Sequence, residues 1–238
     1  MVIHIGPNMF KSKLRSLERS WAMSSDLLRD QWASLGVAFN VKTDIVSDPE
    51  SALFSFLESG EFPEDRKMIG LILAWLKEYS NLVHIERLKN LIKPLGSLEL
   101  AILGGIAAKC IKFGDYRWKT IINYIKERNT GRIRFDIGDS AFLINKNGED
   151  QEFKEFGLSL WQIDEDKSEK IVELKLMLEG NRWIRYRTLF GVNMRADVAT
   201  VMVLKLAGSA YQTAKFLNCS FNSASRNWND LRSVDFNG

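Results

Sequence analysis

The segment Val198–Val234 places the strongest constraint on the fold of this 238-residue chain, because its apolar spacing divides it into three short helices. The turns between them lie at Gly208-Ser209 and at Asn218-Cys219-Ser220. A short helix followed by a sharp turn and a second, exposed helix is the plan of a helix-turn-helix. The three predicted helices are Ala196–Leu206, Ala210–Leu217 and Phe221–Ser233.

The second turn has residue types that suit a tight connection between two crossing helices. Ala214 is small, which allows the third helix to cross closely above it. Asn218 stands where the chain needs a left-handed residue, a conformation that Gly or Asn adopts at low cost. Cys219 is expected to point inward as a small hydrophobe. Ser220 can cap the last helix by accepting a backbone N–H.

The last helix has one apolar stripe and one polar face. Ala224, Trp228 and Leu231 follow spacings of four and three, which predicts that they are buried. The polar face is typical of a helix that contacts DNA, because Arg pairs with guanine and Asn with adenine in the major groove. We expect Arg226 to be exposed and free of a structural ion pair. The polar residues are Asn222, Ser223, Ser225, Arg226 and Asn229.

The stretch Gln212–Leu231 resembles the helix-turn-helix of winged-helix bacterial transcriptional regulators, in which a small residue, a Gly-like turn, a capping Ser and a terminal Leu occur in this order. Leu189–Val198 is similar to the lead-in helix of some such proteins. The resemblance implies transcriptional control through double-stranded DNA. A β-wing should follow in this family, but only Arg232–Gly238 remain. Either the motif is a bare three-helix form with a short or absent wing, or the chain is shortened before the wing. The candidate DNA-contacting residues of the motif are Ser209, Gln212, Ser220, Asn222, Ser223, Ser225, Arg226 and Asn229.

Charge is distributed unevenly along the chain. Residues 181–238 have eight basic and three acidic side chains, whereas the other 180 residues have 25 basic and 27 acidic ones. A basic segment beside a slightly acidic one suggests an anionic partner. Arg182 and Arg185, with Arg187, alternate with Trp183 and Tyr186. These arginines either add phosphate contacts or form a solvated helix face whose aromatic residues pack inward.

The first 180 residues predict a helical bundle that serves as a sensor, dimerisation or partner-binding domain, with a domain boundary at Gly180-Asn181. Two predicted helix pairs superpose with a shift of 34 residues, which is typical either of a solenoid or, as we prefer, of two ordinary helix pairs. Gly104 and Gly105 should allow a close helix approach. Alternation at Ile133–Ile137 and Ala141–Ile144 predicts a small β-hairpin. One predicted helix opens at Asp48-Pro49, with Ser47 as a plausible cap, and ends at Gly60. The other predicted helices include Phe10–Trp32, Leu98–Ile111 and Tyr116–Glu127.

Composition excludes several classes of protein. Hydrophobic residues are 45% and charged residues 26% of the chain, as in folded globular proteins. No run approaches the roughly 18 apolar residues that a membrane span needs, and Met1–Phe10 shows no secretory signal. Two Cys and two His show no zinc spacing, so we expect no metal and no cofactor. The chain is therefore expected to be cytoplasmic.

No residue set predicts an enzyme. We expect Cys110 to be a buried structural thiol and His84 to be a packed or surface residue. Asp136 and Asp139 are the best carboxylate pair for Mg²⁺, but turn chemistry explains Asp139 equally well. The sequence therefore favours a DNA-binding homodimer with an unidentified effector or protein partner for the N-terminal part. The alternatives are a helical interaction scaffold without DNA binding and a metal-dependent nucleic-acid enzyme.

Overall fold

The structure, a computed structural model, describes residues 26–39, 43–60, 66–128, 135–136 and 140–236. Over these residues the chain is mainly helical, which confirms the fold class predicted from the sequence. Residues 10–25 of the predicted first helix lie outside this range, while residues 26–34 are helical. Within the same ranges, no helix is long and apolar enough to cross a membrane.

Helices account for nearly all the regular structure in the described residues. We number them α1 (26–34), α2 (Pro49–Ser59), α3 (Arg66–Tyr79), α4 (Ile85–Leu91), α5 (Ser97–Lys112), α6 (Lys119–Arg128), α7 (Ser140–Asn147), α8 (Gln151–Lys154), α9 (Leu174–Gly180), α10 (Arg182–Phe190), α11 (Met194–Val203), α12 (Ala210–Phe216) and α13 (Phe221–Ser233). Short 3₁₀ helices lie at Ser80–Leu82, Tyr116–Trp118 and Ser168–Lys170. The strands are β1 (Phe135–Asp136) and β2 (Leu158–Ser159).

Helix α2 begins and ends where the sequence predicts, but with a different cap. Asp48, rather than Ser47, is the N-cap, and its Oδ1 accepts a hydrogen bond of 2.9 Å from the backbone N–H of Ser51. A carboxylate is the stronger partner for free N–H groups at a helix start. Pro49 occupies the first turn, and Gly60 ends the helix with a left-handed φ of 69°.

The two helix pairs that match at a shift of 34 residues have the same form. A 3₁₀ turn joins α3 to α4, and a second 3₁₀ turn joins α5 to α6. The pairs pack together, with α3 against α5 and α4 against α6. Arg117 in the second turn donates to the backbone oxygen of Ser80 in the first turn at 2.9 Å. The body of the protein is built on these stacked pairs.

The glycines of α5 allow aromatic rings to approach the helix backbone closely. A Cβ atom at Gly104 would overlap the ring of Phe156, and one at Gly105 would overlap the ring of Phe153. Phe153 belongs to α8 and is fully buried, and α8 packs against α5. The predicted close approach is therefore confirmed at these positions.

The predicted β-hairpin is wrong in its second strand. Residues 141–144 lie within α7, while β1 pairs in parallel with β2, so that Phe135 is opposite Leu158. Residues 131–134 and 137–139, which include the rest of the predicted first strand, lie outside the described residues. A short alternation does not identify its strand partner, and here the partner comes after two further helices.

The buried apolar residues form two clusters. The larger cluster fills the body and contains Trp32, Trp75 and Trp118. The smaller cluster belongs to α10–α13 and contains Trp183 and Trp228. Between them, Asn181 is fully buried, and its Nδ2 donates at 2.9 Å to the backbone oxygens of Ser34 and Ser47. The division at Gly180-Asn181 stays a prediction, but the chain there is packed against the body.

Candidate nucleic-acid interface

Helices α11, α12 and α13 form a three-helix unit, which we call the motif. Their positions match the three helices predicted from the sequence to within three residues. Helix α13 packs against both α11 and α12, and α10 packs against α11. Ala224, Trp228 and Leu231 of α13 are buried, as predicted. This apolar stripe holds α13 on the motif and leaves its other side to solvent.

The turn between α12 and α13 closes through a left-handed asparagine. Asn218 has φ 51°, as the sequence predicts. Its backbone N–H donates to the Lys215 oxygen at 3.2 Å, and the N–H of Cys219 donates to the Ala214 oxygen at 3.0 Å. These two bonds are the Schellman pattern, which satisfies the last carbonyl groups of α12. Ala214 is buried and Cys219 half-buried against the motif core, in agreement with the roles expected of both.

Two of the candidate DNA-contacting residues cap helices, and a third, Gln212, accepts a hydrogen bond just before one of them. Ser209 is the N-cap of α12, and its Oγ accepts from the Gln212 N–H at 3.3 Å, while Gln212 Oε1 accepts from the Gly208 N–H at 2.8 Å. Ser220 caps α13 as predicted, since its Oγ accepts from the Ser223 N–H at 3.3 Å. Each side chain keeps a donor that these bonds do not use. Their contacts with DNA stay predictions.

The remaining candidates on α13 are open to solvent on the side opposite the apolar stripe. Asn222, Arg226 and Asn229 are exposed, and their spacings of four and three place them on one helix face. Ser223 and Ser225 are half-buried beside them. Arg226 forms no ion pair within the part of the chain that the structure describes, as we expected. Its guanidinium is available to an external acceptor.

The three arginines of α10 differ in their exposure to solvent. Arg185 is exposed and lines a groove with residues of α9 and α10 only, including Glu179, and Arg182 is half-buried. Arg187 is fully buried, so the suggestion that it contacts phosphate is wrong. Trp183 and Tyr186 pack inward, as one of the two interpretations requires. Arg185 therefore lies on a groove formed by α9 and α10, and its contacts with DNA, like those of Arg182, stay predictions.

Arg187 instead joins the motif to the body. Its Nη2 lies 2.7 Å from Glu50 Oε2 in α2 and 2.8 Å from Asp197 Oδ1 in α11. Its Nη1 donates to Glu50 Oε1 at 2.8 Å and to the Leu82 oxygen at 2.9 Å. All three charged side chains have no solvent exposure. Buried charges persist in this way only when they are paired and hydrogen-bonded.

Asp48, Arg87 and His84 complete this buried cluster. Arg87 Nη1 lies 2.8 Å from Asp48 Oδ1 and 3.1 Å from Glu50 Oε2. His84 Nδ1 lies 2.7 Å from Asp197 Oδ2. Both guanidinium groups also lie over the ring of Trp183, at 5.0 Å for Arg87 and 5.9 Å for Arg187. The cluster consists of Asp48, Glu50, His84, Arg87, Arg187 and Asp197.

The pKa values of the three carboxyl groups in the cluster are shifted from their ordinary values, two downward and one upward. Burial by itself raises the pKa of Asp48, but the charges of Arg87 and Arg187 outweigh burial and hold that pKa well below its ordinary value. The same balance, with Arg187 as the main opposing charge, lowers the pKa of Asp197. Burial raises the pKa of Glu50, and the neighbouring charge of Asp48 adds to that effect. The charges of the cluster pair with one another away from solvent, except that the His84 side chain is 13% exposed and Arg87 Nε has no hydrogen-bond partner among the described residues.

The motif also touches the body at its turn. Asn218 Nδ2 donates to the backbone oxygen of Asn90 in α4 at 3.2 Å. Phe216 at the end of α12 stacks on Trp183, with ring centroids 6.4 Å apart. These contacts join residues more than 30 positions apart, so no local pattern could have predicted them. They place α4 next to the start of the polar face of α13.

The residues weighed for an enzyme lie in different surroundings. Cys110 is fully buried, and burial raises the pKa of its thiol well above the ordinary value, which leaves it unreactive. His84 faces Asp197 inside the cluster. No group of three or more His, Cys, Asp or Glu residues that could hold a metal ion occurs among the residues described. Asp139 and the side chain of Asp136 lie outside that part of the chain.

No family model matches this chain, and no curated protein or solved structure matches it either.

Proposed function

We propose that this protein binds double-stranded DNA through α13, placed in the major groove, and that it acts as a transcriptional regulator. One observation carries the proposal. Asn222, Arg226 and Asn229 form an exposed polar face directly opposite the buried stripe of α13. A helix held from behind, with donors and acceptors on its free side, can enter the groove without distortion of its own fold.

The residue types of this face suit direct reading of base edges. The guanidinium of Arg226 can donate to O6 and N7 of a guanine, and the amides of Asn222 and Asn229 can pair with N6 and N7 of an adenine. Ser209, Gln212, Ser220, Ser223 and Ser225 would contact phosphates and set the orientation of α13. Arg182 and Arg185, which lie in α10 outside the motif, would add phosphate contacts only if the bound duplex is long enough to reach α10.

A salt titration tests the proposal directly. The full chain is titrated against a fluorescently labelled duplex of mixed sequence, and anisotropy gives the affinity at several salt concentrations. We expect log affinity to fall linearly with log salt concentration, with a slope of about −0.9 for each neutralised phosphate. A complex that is insensitive to salt, or the absence of binding at low salt, would overturn the proposal.

We further propose that the protein binds as a homodimer. Two copies would place their α13 helices in successive major grooves, about 34 Å apart on one side of a palindromic duplex. The body, which packs against the motif through the Arg187 cluster and Asn218, would then supply the dimer contact or receive an effector. Analytical ultracentrifugation with a palindromic duplex tests this, and a mass of one chain per duplex would contradict it.

A protein-interaction scaffold is the second candidate, and exposed aromatic residues favour it. Tyr211, Phe216 and Phe221 of α12 and α13 are 57%, 44% and 52% exposed. Aromatic side chains are enriched in the centres of protein interfaces. If Tyr211→Ala and Phe221→Ala abolish binding to a partner protein while Arg226→Ala has no effect on any ligand, the scaffold replaces the DNA-binding proposal.

A further inference from the structure

Three cationic residues of the body lie at the ends of α4 and α6, where Arg128 shares the Tyr124 ring with Lys89 and contacts the Lys93 backbone. Lys89 Nζ lies 5.9 Å from the centre of the Tyr124 ring, and Arg128 Cζ lies 5.5 Å from the same ring. Arg128 Nη1 also donates to the Tyr124 hydroxyl at 2.8 Å and to the backbone oxygen of Lys93 at 2.6 Å. We call Lys89, Lys93 and Arg128 the body cations.

The body cations have no acidic partner in the described part of the chain. None of them forms an ion pair there, although Glu86 and Glu127 lie on the same two helices. Lys93 and Arg128 are exposed and Lys89 is half-buried. A position near a helix C-terminus favours a single cation, but it does not account for three unpaired cations on one surface. Such a surface attracts an anionic partner.

This surface adjoins the motif. Asn90, whose backbone oxygen accepts from Asn218 Nδ2 at 3.2 Å, lies between Lys89 and Lys93 in the chain. Asn218 belongs to the turn that precedes α13, so α4 contacts the motif at the residue that follows Lys89 in the chain. Two regions that are far apart in the sequence are therefore in contact at Asn90 and Asn218.

We infer that the body cations contact the phosphate backbone of the same duplex that α13 reads. This inference rests on the proposed function and extends the interface from the motif onto the body. Phosphates are the anions that a major-groove helix brings closest to its flanks, and most protein contacts with DNA are made to them. The ring of Tyr124 holds Lys89 and Arg128 in position for those contacts.

The experiment compares salt slopes of full-length variants on one labelled duplex, over about 50 to 200 mM salt, the range in which phosphate contacts dominate. The test variant combines Lys89→Gln, Lys93→Gln and Arg128→Gln. We expect its slope to be shallower than that of wild type by about 0.9 for each phosphate that is no longer neutralised. The matched control removes three other exposed lysines, with Lys126→Gln, Lys146→Gln and Lys170→Gln, and its slope should differ from that of wild type by less than about 0.9.

A second variant guards against loss of folding in the triple variant, in which the bonds of Arg128 are removed. Lys93→Gln changes an exposed side chain and leaves the Lys93 backbone oxygen in place. We expect it to reduce the slope by about 0.9 at unchanged thermal stability. If wild type binds and both variants keep the slope of the control, the body cations are not at the interface, although the proposed function stands. If wild type does not bind at low salt, both proposals are overturned.

Discussion

Arg187 and Glu50 lie 137 residues apart in the chain, yet their side chains meet in a bidentate ion pair, with Nη2 at 2.7 Å from Oε2 and Nη1 at 2.8 Å from Oε1. Both side chains are fully buried. Asp197 accepts from the same guanidinium. The pair therefore ties α2 of the body to α10 and, through Asp197, to α11 of the motif, so the position of the motif depends on the body.

Arg187→Met should destabilise the whole fold. Removal of the guanidinium leaves the carboxylates of Glu50 and Asp197 buried without their main partner, and the loss of one partner from a buried pair costs about 3–5 kcal/mol. The free energy of unfolding, measured by urea titration, checks this. Arg185→Met is the matched control, because it makes the same change at an exposed position two residues away and should change stability by about 0.5 kcal/mol or less.

A double variant separates charge burial from packing. Adding Glu50→Gln to Arg187→Met removes one of the uncompensated charges, so part of the lost stability should return. The contrary result is additivity. If Glu50→Gln lowers the free energy of unfolding as much in the Arg187→Met variant as it does in wild type, the two residues are not coupled. That result would contradict the structural role given to the pair.

The cluster should also make the fold sensitive to acid. The pKa values of Asp48 and Asp197 are lowered from an ordinary value of 3.8, so their contribution to stability is present above that value and is lost as pH falls through the lowered values. The pKa of Glu50 is raised, which has the opposite sign, because its protonation on mild acidification favours the fold. We expect the contribution of the cluster to stability to hold or rise on mild acidification and to fall below pH 3.8.

Unfolding titrations over a series of pH values check this profile. Asp48→Asn removes one of the two carboxyl groups of the cluster whose pKa is lowered, so the stability of this variant should fall less steeply below pH 3.8 than that of wild type. Wild type and Asp48→Asn curves that run parallel through the acid range would show that Asp48 does not contribute to the acid sensitivity.

Two neighbouring residues of α13 should separate binding from folding. Arg226→Ala should weaken specific DNA binding by about 1–3 kcal/mol, because the variant can no longer donate to a base edge, with little change in melting temperature. Trp228→Ala should instead lower domain stability by about 3–5 kcal/mol, because it leaves a cavity in the motif core. Calorimetry and anisotropy on both variants give the comparison. If Arg226→Ala binds DNA as tightly as wild type, we would favour the scaffold function.

Gly105→Ala should destabilise the body, although alanine is the better helix former by about 1 kcal/mol. The added Cβ would overlap ring atoms of Phe153, which is fully buried. Overpacking of this kind typically costs about 1–3 kcal/mol. Gly180→Ala is the control, since a Cβ there has no neighbour within 4 Å and should be neutral or stabilising. Equal melting temperatures for the two variants would show that the rings can move.

The motif could be predicted from the sequence because its signals are local. The left-handed turn at Asn218, the cap at Ser220 and the stripe of Ala224, Trp228 and Leu231 each depend on residues within about two helical turns of one another. The same reason applies to the start of α2, where the Pro and the acidic residues lie together. Local backbone geometry and side-chain spacing are sufficient to identify such elements.

The features that could not be predicted from the sequence depend on contacts between residues far apart in the chain. Residues 141–144 alternate like a strand, but they lie within the helix α7, and the strand β1 pairs with β2 instead. Arg187 and the exposed Arg185 lie in the same helix and have similar neighbours in the sequence. Arg187 can be buried because Glu50 of α2 pairs with its guanidinium. The contact of Asn218 with Asn90 likewise depends on how α4 packs against the motif. The residues close to a position in the sequence indicate its local secondary structure. Whether its side chain is buried or paired with a charge depends on partners that only the folded chain brings together.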